Sequence, residues 1–357
     1  MALHLNEIDN AKLEQLQGKV INDVAGSLGL LMAYIGDKLD LYSALLEISP
    51  ATSQELADNT GMDERYLREW LSANAAAGYI HYDAATCKFS MTPEQAVIFA
   101  AEGHPACMQG FFQAVMSVYI DEPKLTDVFR SGQGLPWRDH SPCLFCGTER
   151  FFRPMYAMNL IDHWLPALTG VQAKLEAGAR VADVGCGHGS STILMAKAFP
   201  NSTFHGFDFH APSIEHARER ARAAGVASNT IFEVVTAKEY PGKNYDLVTI
   251  FDALHDMGDP VGAAIHIAST LTDSGTFMLV EPFAGDSLEE NLHPLGQIYY
   301  SLSTMVCVPA SKSQEVGLGL GAQAGQKRLT EVLNAAGFTQ VRRAATTPTN
   351  LVLEAKL

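Results

Sequence analysis

Three short stretches carry residue types that could do chemistry together. The first is Val181-Ala-Asp183-Val-Gly185-Cys-Gly187-His-Gly189, an apolar strand running into a loop with glycine at every second position. Glycines there remove side chains, so a ligand can approach the backbone closely. The loop feeds a helical segment from Ser190, whose free N–H groups favour anionic groups. The second stretch is Gly206-Phe207-Asp208, which ends the next apolar strand with a carboxylate. An acid about 20 residues beyond a glycine loop is where a nucleoside ribose is held. The third is Phe251-Asp252-Ala253-Leu254-His255-Asp256-Met257. Its histidine titrates in the range useful for moving a proton.

The spacing of the glycines bears on the ligand. A dinucleotide fingerprint reads GxGxxG, but Ser190 stands where its third glycine belongs. Asp183, two residues before Gly185, would repel a pyrophosphate and suits an ammonium group. S-adenosylmethionine (SAM) has an ammonium, a sulfonium and one carboxylate. Asp208 favours a nucleoside-like ligand without choosing between cofactors.

The elements that must position these residues alternate from Arg180 onward. Strands are expected at 180–184, 203–209, 230–235, 245–251 and 276–283, with helices at 190–199, 212–224, 260–272 and 327–336. A hairpin of 340–345 and 350–356 closes the chain around Pro348. This alternation implies a parallel, doubly wound sheet with an antiparallel addition at its end. The insertion 284–326 holds Glu290, His293, Tyr299, Tyr300, Met305 and Cys307, then Gly317-Leu-Gly319-Leu-Gly321. Such a mixture suits an organic substrate pocket.

The first half reads differently. Apolar residues recur at helical spacing over 22–47, with Gly26, Gly29 and Gly36 allowing another helix close. Residues 53–78 read as helix, turn, helix, with Asp63 capping the second helix. Strand candidates at 79–82 and 88–91 flank Asp83-Ala84-Ala85-Thr86, completing a winged-helix pattern. Its second helix carries Arg65 and Arg68 among Asp63, Glu64 and Glu69, the wrong charge for phosphates. Residues 109–171 form a helical connector containing Cys143-Leu-Phe-Cys146 and an aromatic helix over 150–168. No second CxxC pair exists to complete a zinc site. The expected division is therefore a winged-helix-like domain at 1–108, a connector at 109–171 and a ligand-binding domain at 172–357.

The 357 residues include 25 Lys+Arg against 40 Asp+Glu, a formal charge of −15. That sign argues against nucleic acid or an anionic membrane as the main partner. The start, MALHLNEIDNAKLEQ, lacks the basic opening of a signal peptide. The longest apolar run near it, about a dozen residues, falls short of the roughly 20 a bilayer span needs. With six cysteines too few for a disulfide scaffold, the expectation is a cytoplasmic protein with reduced thiols.

DVGCGHG, the acid ending the second strand and the terminal hairpin resemble a class I SAM-dependent methyltransferase. With the winged-helix half and the phrase FDALHDM, nearly the whole chain resembles a bacterial family of winged-helix-containing methyltransferases. It is distantly similar to the plant and polyketide O-methyltransferases. The resemblance implies an α/β fold: a Rossmann-like doubly wound methyltransferase sheet with a mainly helical winged-helix domain ahead of it. It implies SAM as cofactor, a small-molecule acceptor and a homodimer held by the winged-helix half. By position, Asp183, Gly185, Gly187 and Gly189 would line the methionine end, Asp208 the ribose and Phe209 the adenine. Thr236 and Ala237 stand where relatives carry an acid toward the adenine amino group. Phe251 and Asp252 would border the cofactor. His255 matches the general base of a His-Asp-Trp motif, with Met257 in the tryptophan's place. Arg153, Tyr156, Glu281, His293 and Tyr299 are candidate substrate contacts. The resemblance points to O-methylation, leaving S-, N- or C-methylation and a SAM-sensing regulator as alternatives. A metal site of His255, His293 and Glu281 is the lesser reading, and no metal is expected.

Overall fold

A computed structural model describes residues 8–357 and divides the chain into two compact units. The first takes in residues through Met116 together with Cys143–Phe151; the second takes in Ser117–Pro142 and Phe152–Leu357. The segment 109–171 is thus shared between them.

The first unit opens with a long helix, α1 (Asn10–Lys38), capped by Asp9 through the N–H groups of Ala11 and Lys12. It continues with α2 (Leu41–Ile48), α3 (Ser53–Thr60), α4 (Glu64–Ala76), a hairpin of β1 (His81–Asp83) and β2 (Lys88–Ser90), and α5 (Pro93–Phe99). Asp63 caps α4 through the N–H groups of Arg65 and Tyr66, as its sequence position suggested. Both α4 arginines are tied to glutamates of their own helix, Arg65 to Glu69 and Arg68 to Glu64. Leu41, Tyr42, Leu45, Leu56, Leu67 and Trp70 form the core. Gly36 lets α1 reach it: a Cβ there would lie 2.5 Å from ring carbons of Trp70 and Tyr42. Gly26 meets nothing within 4 Å. The other flank of α1 carries Leu13, Leu16, Val20, Ile21, Val24 and Leu28, all at least half exposed.

Two helices contribute to both units, α6 (Gln109–Ile120) and α8 (Pro142–Asn159), with α7 (Glu122–Ser131) between them. The second unit then holds α9 (Val171–Ala177), β3 (Arg180–Val184), α10 (Ser190–Ala198), β4 (Thr203–Asp208), α11 (Ala211–Ala223), β5 (Thr230–Val234) and β6 (Tyr245–Phe251). It ends with α12 (Pro260–Thr270), β7 (Leu271–Pro282), α13 (Pro294–Leu302), α14 (Val308–Lys312), α15 (Gly325–Ala335), β8 (Gln340–Thr346) and β9 (Asn350–Lys356). The seven-stranded sheet runs β5-β4-β3-β6-β7-β9-β8. Its first five strands in that order are parallel; β9 pairs antiparallel with β7 and β8 antiparallel with β9, so β9 alone runs against the others.

Side-chain alternation builds a core on each face of this sheet. Val181, Leu247, Met278, Val280 and Val352 point to one side, under α9, α10 and α11. Ala182, Val248, Leu279, Leu351 and Leu353 point to the other, under α12 and α15. The strand order reverses at β3, and such switch points open a crevice at the carboxyl ends of the strands. Among the described residues no helix is long and apolar enough to cross a membrane.

Candidate active site

The residues singled out from the sequence come to the carboxyl edge of β3, β4, β6 and β7. At the end of β3 the chain turns through Gly185, Gly187 and Gly189, all left-handed (φ 73°, 52° and 76°). A Cβ on Gly187 would meet nothing within 4 Å, so the loop presents bare backbone to open space there, whereas one on Gly185 would lie 3.0 Å from Ala253 Cβ and one on Gly189 2.9 Å from the Phe232 ring. The N–H groups of Gly185 and Cys186 both donate to the Phe207 carbonyl, at 2.7 and 3.1 Å, tying the loop to β4.

Asp208 completes that tie. Its carboxylate accepts from the Gly187 N–H at 2.9 Å and from the His210 N–H at 2.8 Å. Burial raises its pKa, and the two N–H bonds act against that. Each carboxylate oxygen has a second lone pair for another donor. The next residue, Phe209, is 53% exposed and offers a flat apolar face.

Asp183 lies deeper than the loop it precedes. It is buried, and its carboxylate accepts from Ser191 Oγ at 2.6 Å, Thr192 Oγ1 at 2.5 Å and Thr249 Oγ1 at 3.0 Å. It joins the first turn of α10 to β3 and β6. Burial raises its pKa despite the three hydroxyl bonds. The hydroxyl partners were not singled out from sequence, because serine and threonine at a helix start are ordinary.

After β6 the backbone turns sharply. Asp252 takes a left-handed conformation (φ 49°), uncommon for a residue with a side chain and concentrated at functional sites. Its two oxygens accept from Tyr156 Oη at 2.8 Å and Asn350 Nδ2 at 2.7 Å. Burial, with the Glu281 charge nearby, pushes its carboxyl up to about 7. Phe251 is in the core, its ring 5.3 Å from Tyr156 and 6.5 Å from Trp164. Thr236 and Ala237 follow β5; Thr236 is exposed and donates to Glu239 at 2.9 Å, while Ala237 packs on the α12 side of the sheet.

His255 and Glu281 form a buried pair, with Nδ1 2.5 Å from Oε2. The other Glu281 oxygen accepts from the Leu254 N–H at 3.0 Å, so the carboxylate fixes both the ring and its turn. Such a carboxylate commits Nδ1 and leaves Nε2 for other partners. Nε2 lies 3.3 Å from Asp256 Oδ1. Burial pulls the imidazole pKa down, but the carboxylates of Glu281 and Asp256 prevail and hold it well above 6.5.

The turn is braced by a strap that sequence spacing did not link to it. Ser311 Oγ donates to the Met257 carbonyl and Gln314 Nε2 to that of Asp256. The N–H of Leu318 donates to Gly258 O, and that of Gly321 to His255 O at 3.4 Å. The alternating glycines 317, 319 and 321 are left-handed and let this strap lie flat.

The remaining candidates divide. Tyr299 Oη donates to the Thr349 carbonyl, beside Asn350. His293 is exposed and caps α13, its Nδ1 accepting from the Gly296 N–H at 3.1 Å. Arg153 is half-buried, three residues before Tyr156 on α8. Arg150, weighed with them for a carboxylate, lies in the first unit and is held by Asp37, Glu102 and Gln113.

Comparison with known proteins agrees with this layout. Residues 175–337 match a family described as a methyltransferase domain, and residues 26–100 match an Rv2258c-like winged HTH domain. A curated relative, 27-O-demethylrifamycin SV methyltransferase of Amycolatopsis mediterranei (strain S699), is 34% identical over 118 residues. The match covers 31% of this chain and 43% of that protein, so the chain spans under half of that relative's length. The mitomycin 7-O-methyltransferase structure superposes with a TM-score of 0.73 at 18% identity, covering 98% of this chain and 100% of that one. Human N-acetylserotonin methyltransferase in complex with SAM gives 0.72 at 16% identity, covering 100% and 99%. At those identities the likeness is one of fold. The chain therefore joins an Rv2258c-like winged helix-turn-helix domain to a methyltransferase domain, on the fold shared by O-methyltransferases of the plant and polyketide type.

Proposed function

We propose that this chain is a SAM-dependent methyltransferase that methylates a hydroxyl group of a small organic acceptor, with His255 as the base. The observation that carries this reading is a juxtaposition. The bare glycine loop, bridged by Asp208, and the His255–Glu281 pair stand at the carboxyl ends of strands in one parallel sheet.

The residues present fit SAM. The backbone of Gly185, Gly187 and Gly189 receives its amino-acid end, Asp208 accepts from its ribose hydroxyls, and the exposed ring of Phe209 covers its adenine. Thr236 and Ala237 edge the same end. Asp183 acts one step back, holding loop and helix together through Ser191, Thr192 and Thr249. When bound, SAM supplies an electrophilic methyl on sulfur. In-line displacement needs an aligned nucleophile and a dry site. Glu281 orients the ring so that Nε2 receives the acceptor's hydroxyl proton. Asp252, Tyr156 and Asn350 shape the floor; Tyr299 and Arg153 are assigned to the acceptor side. His293 caps α13 through Nδ1 and keeps Nε2 for the acceptor side. The test is transfer of isotopically labelled methyl from SAM to a panel of phenols, carboxylic acids and thiols. Labelled phenol or acid is expected; labelled thiol alone would move the reading to S-methylation.

The strap supports this role for His255. Gly321 is left-handed at φ 76°, and a Cβ there would lie 2.7 Å from Ser303 Oγ. Gly321→Ala is expected to cost about 1–3 kcal/mol of stability and to lower kcat about tenfold or more by shifting the His255 turn. SAM affinity should hold, and an unchanged kcat would remove the strap from the mechanism.

The apolar flank of α1 supports a homodimer. Leu13, Leu16, Val20, Val24 and Leu28 recur every three or four residues and form one continuous exposed stripe. Stripes of that kind on soluble proteins mark interaction sites. Leu16→Glu with Val24→Glu is expected to turn a dimer into a monomer in sedimentation equilibrium, with SAM binding intact. A monomeric wild-type protein would contradict the assignment.

A further inference from the structure

Beside the base stands a group of donors that proton transfer does not require. A ring nitrogen of His255, a carboxylate oxygen of Asp256 and Cys307 Sγ all lie within 4.8 Å of one another. They come from the turn after β6 and from a turn of wide helix at Ser303–Cys307. Asp256 Oδ1 is buried with no well-formed hydrogen bond of its own and sits 3.3 Å from Nε2, while the Cys307 thiol is within hydrogen-bonding reach of both His255 and Asp256. A ring nitrogen, a carboxylate oxygen and a thiol gathered this closely can share a cation in place of the protons between them. In a tetrahedral site with bonds of about 2.0–2.2 Å, neighbouring nitrogen and oxygen ligands stand about 3.3–3.5 Å apart. The opposite ring atom is held by Glu281, which matches the carboxylate that commonly orients a metal-binding histidine.

We propose that His255, Asp256 and Cys307 form a binding site for a zinc-class divalent cation, and that its occupation withdraws His255 from proton transfer. A nitrogen, oxygen and sulfur donor set suits zinc, being too soft for magnesium or calcium. Three protein ligands leave a fourth position open to water or an acceptor atom. Binding displaces the thiol proton of Cys307 to solvent and forms the metal–sulfur bond, with no change of oxidation state. The cation takes the Nε2 lone pair that the base would use, so it competes with methyl transfer to a hydroxyl. This second half rests on His255 being the base; the cation site itself does not.

The protein, stripped with chelator, is dialysed against zinc and, separately, cobalt(II). One zinc per chain is expected to be retained, with affinity lowered more than about tenfold in Cys307→Ser and in Asp256→Asn. Wild-type protein with cobalt should show the near-ultraviolet charge-transfer absorption of a cobalt–thiolate bond, a readout that needs no variant to fold. Absence of that band, or zinc affinity unchanged in both variants, would overturn the site. Added zinc should suppress methyl transfer by the stripped protein without altering SAM affinity; undiminished turnover by zinc-loaded protein would overturn the withdrawal. A protein that binds no SAM would fail the methyltransferase reading while the cobalt band still reported on the cation site.

Discussion

His255→Ala is expected to lower kcat by about 10²–10⁴-fold, the span of a positioned general base, while the Kd for SAM stays within about threefold. The split follows from where the ring sits. Nδ1 is committed to Glu281, and nothing ties the ring to the glycine loop or to Asp208. A merely structural histidine would cost stability and cofactor binding together, because the buried Glu281 loses its partner. Added imidazole should restore part of the activity of the variant, and equal losses in kcat and SAM affinity would make the residue structural. The pH dependence carries a sign. Glu281 and Asp256 hold the His255 pKa above 6.5, against the effect of burial, with Cys307 and Asp252 also in its surroundings. A base works unprotonated, so kcat of the metal-free protein should still be rising above pH 6.5. The paired imidazolium stabilises the fold fully below that pH and loses this contribution as pH climbs through the raised value. A profile flat from pH 6 upward would count against the pair.

Asp208→Ala is expected to weaken SAM binding by about 100-fold, about 3 kcal/mol, the worth of one or two hydrogen bonds to a charged acceptor. Part of that loss arises inside the protein. The carboxylate also accepts from the Gly187 N–H, so the variant frees the loop as well as the ribose contacts. Asp208→Asn can keep the Gly187 N–H bond on its amide oxygen, while its NH2 group can accept neither from the His210 N–H nor from a ribose hydroxyl. An intermediate loss is expected for asparagine. Unchanged affinity in both variants would place the nucleoside elsewhere.

Much of this arrangement is legible in the sequence for physical reasons. The strands 180–184, 245–251 and 350–356 are found at their expected bounds, since alternation toward two buried faces leaves a strong pattern. Helices shift where capping decides. Helix α1 begins at Asn10 because Asp9 caps it, well before the apolar periodicity that marked 22–47. The helix expected over 150–168 begins at Pro142, takes in both cysteines of the CxxC pair and gives way to a wider turn at Leu160. The strand expected from Thr276 starts at Leu271, which pairs with Tyr245 ahead of an irregularity in the ladder. The glycine loop and Asp208 were legible because their chemistry is local. Asp183 shows the limit: its charge is visible in sequence, but the three hydroxyls that surround it come from α10 and β6. The same holds for Asn350 on Asp252, for the strap over His255 and for Cys307 beside Asp256. Each depends on contacts between residues far apart in the chain, which spacing along the chain does not encode.

Calorimetric titration of the purified protein with SAM, and separately with S-adenosylhomocysteine, tests the proposed activity most directly. Micromolar binding of both is expected, weakened about 100-fold in Asp208→Ala. No binding of either, with copurified cofactor excluded by mass spectrometry, would contradict the methyltransferase reading and leave the winged-helix half as the place to look for function.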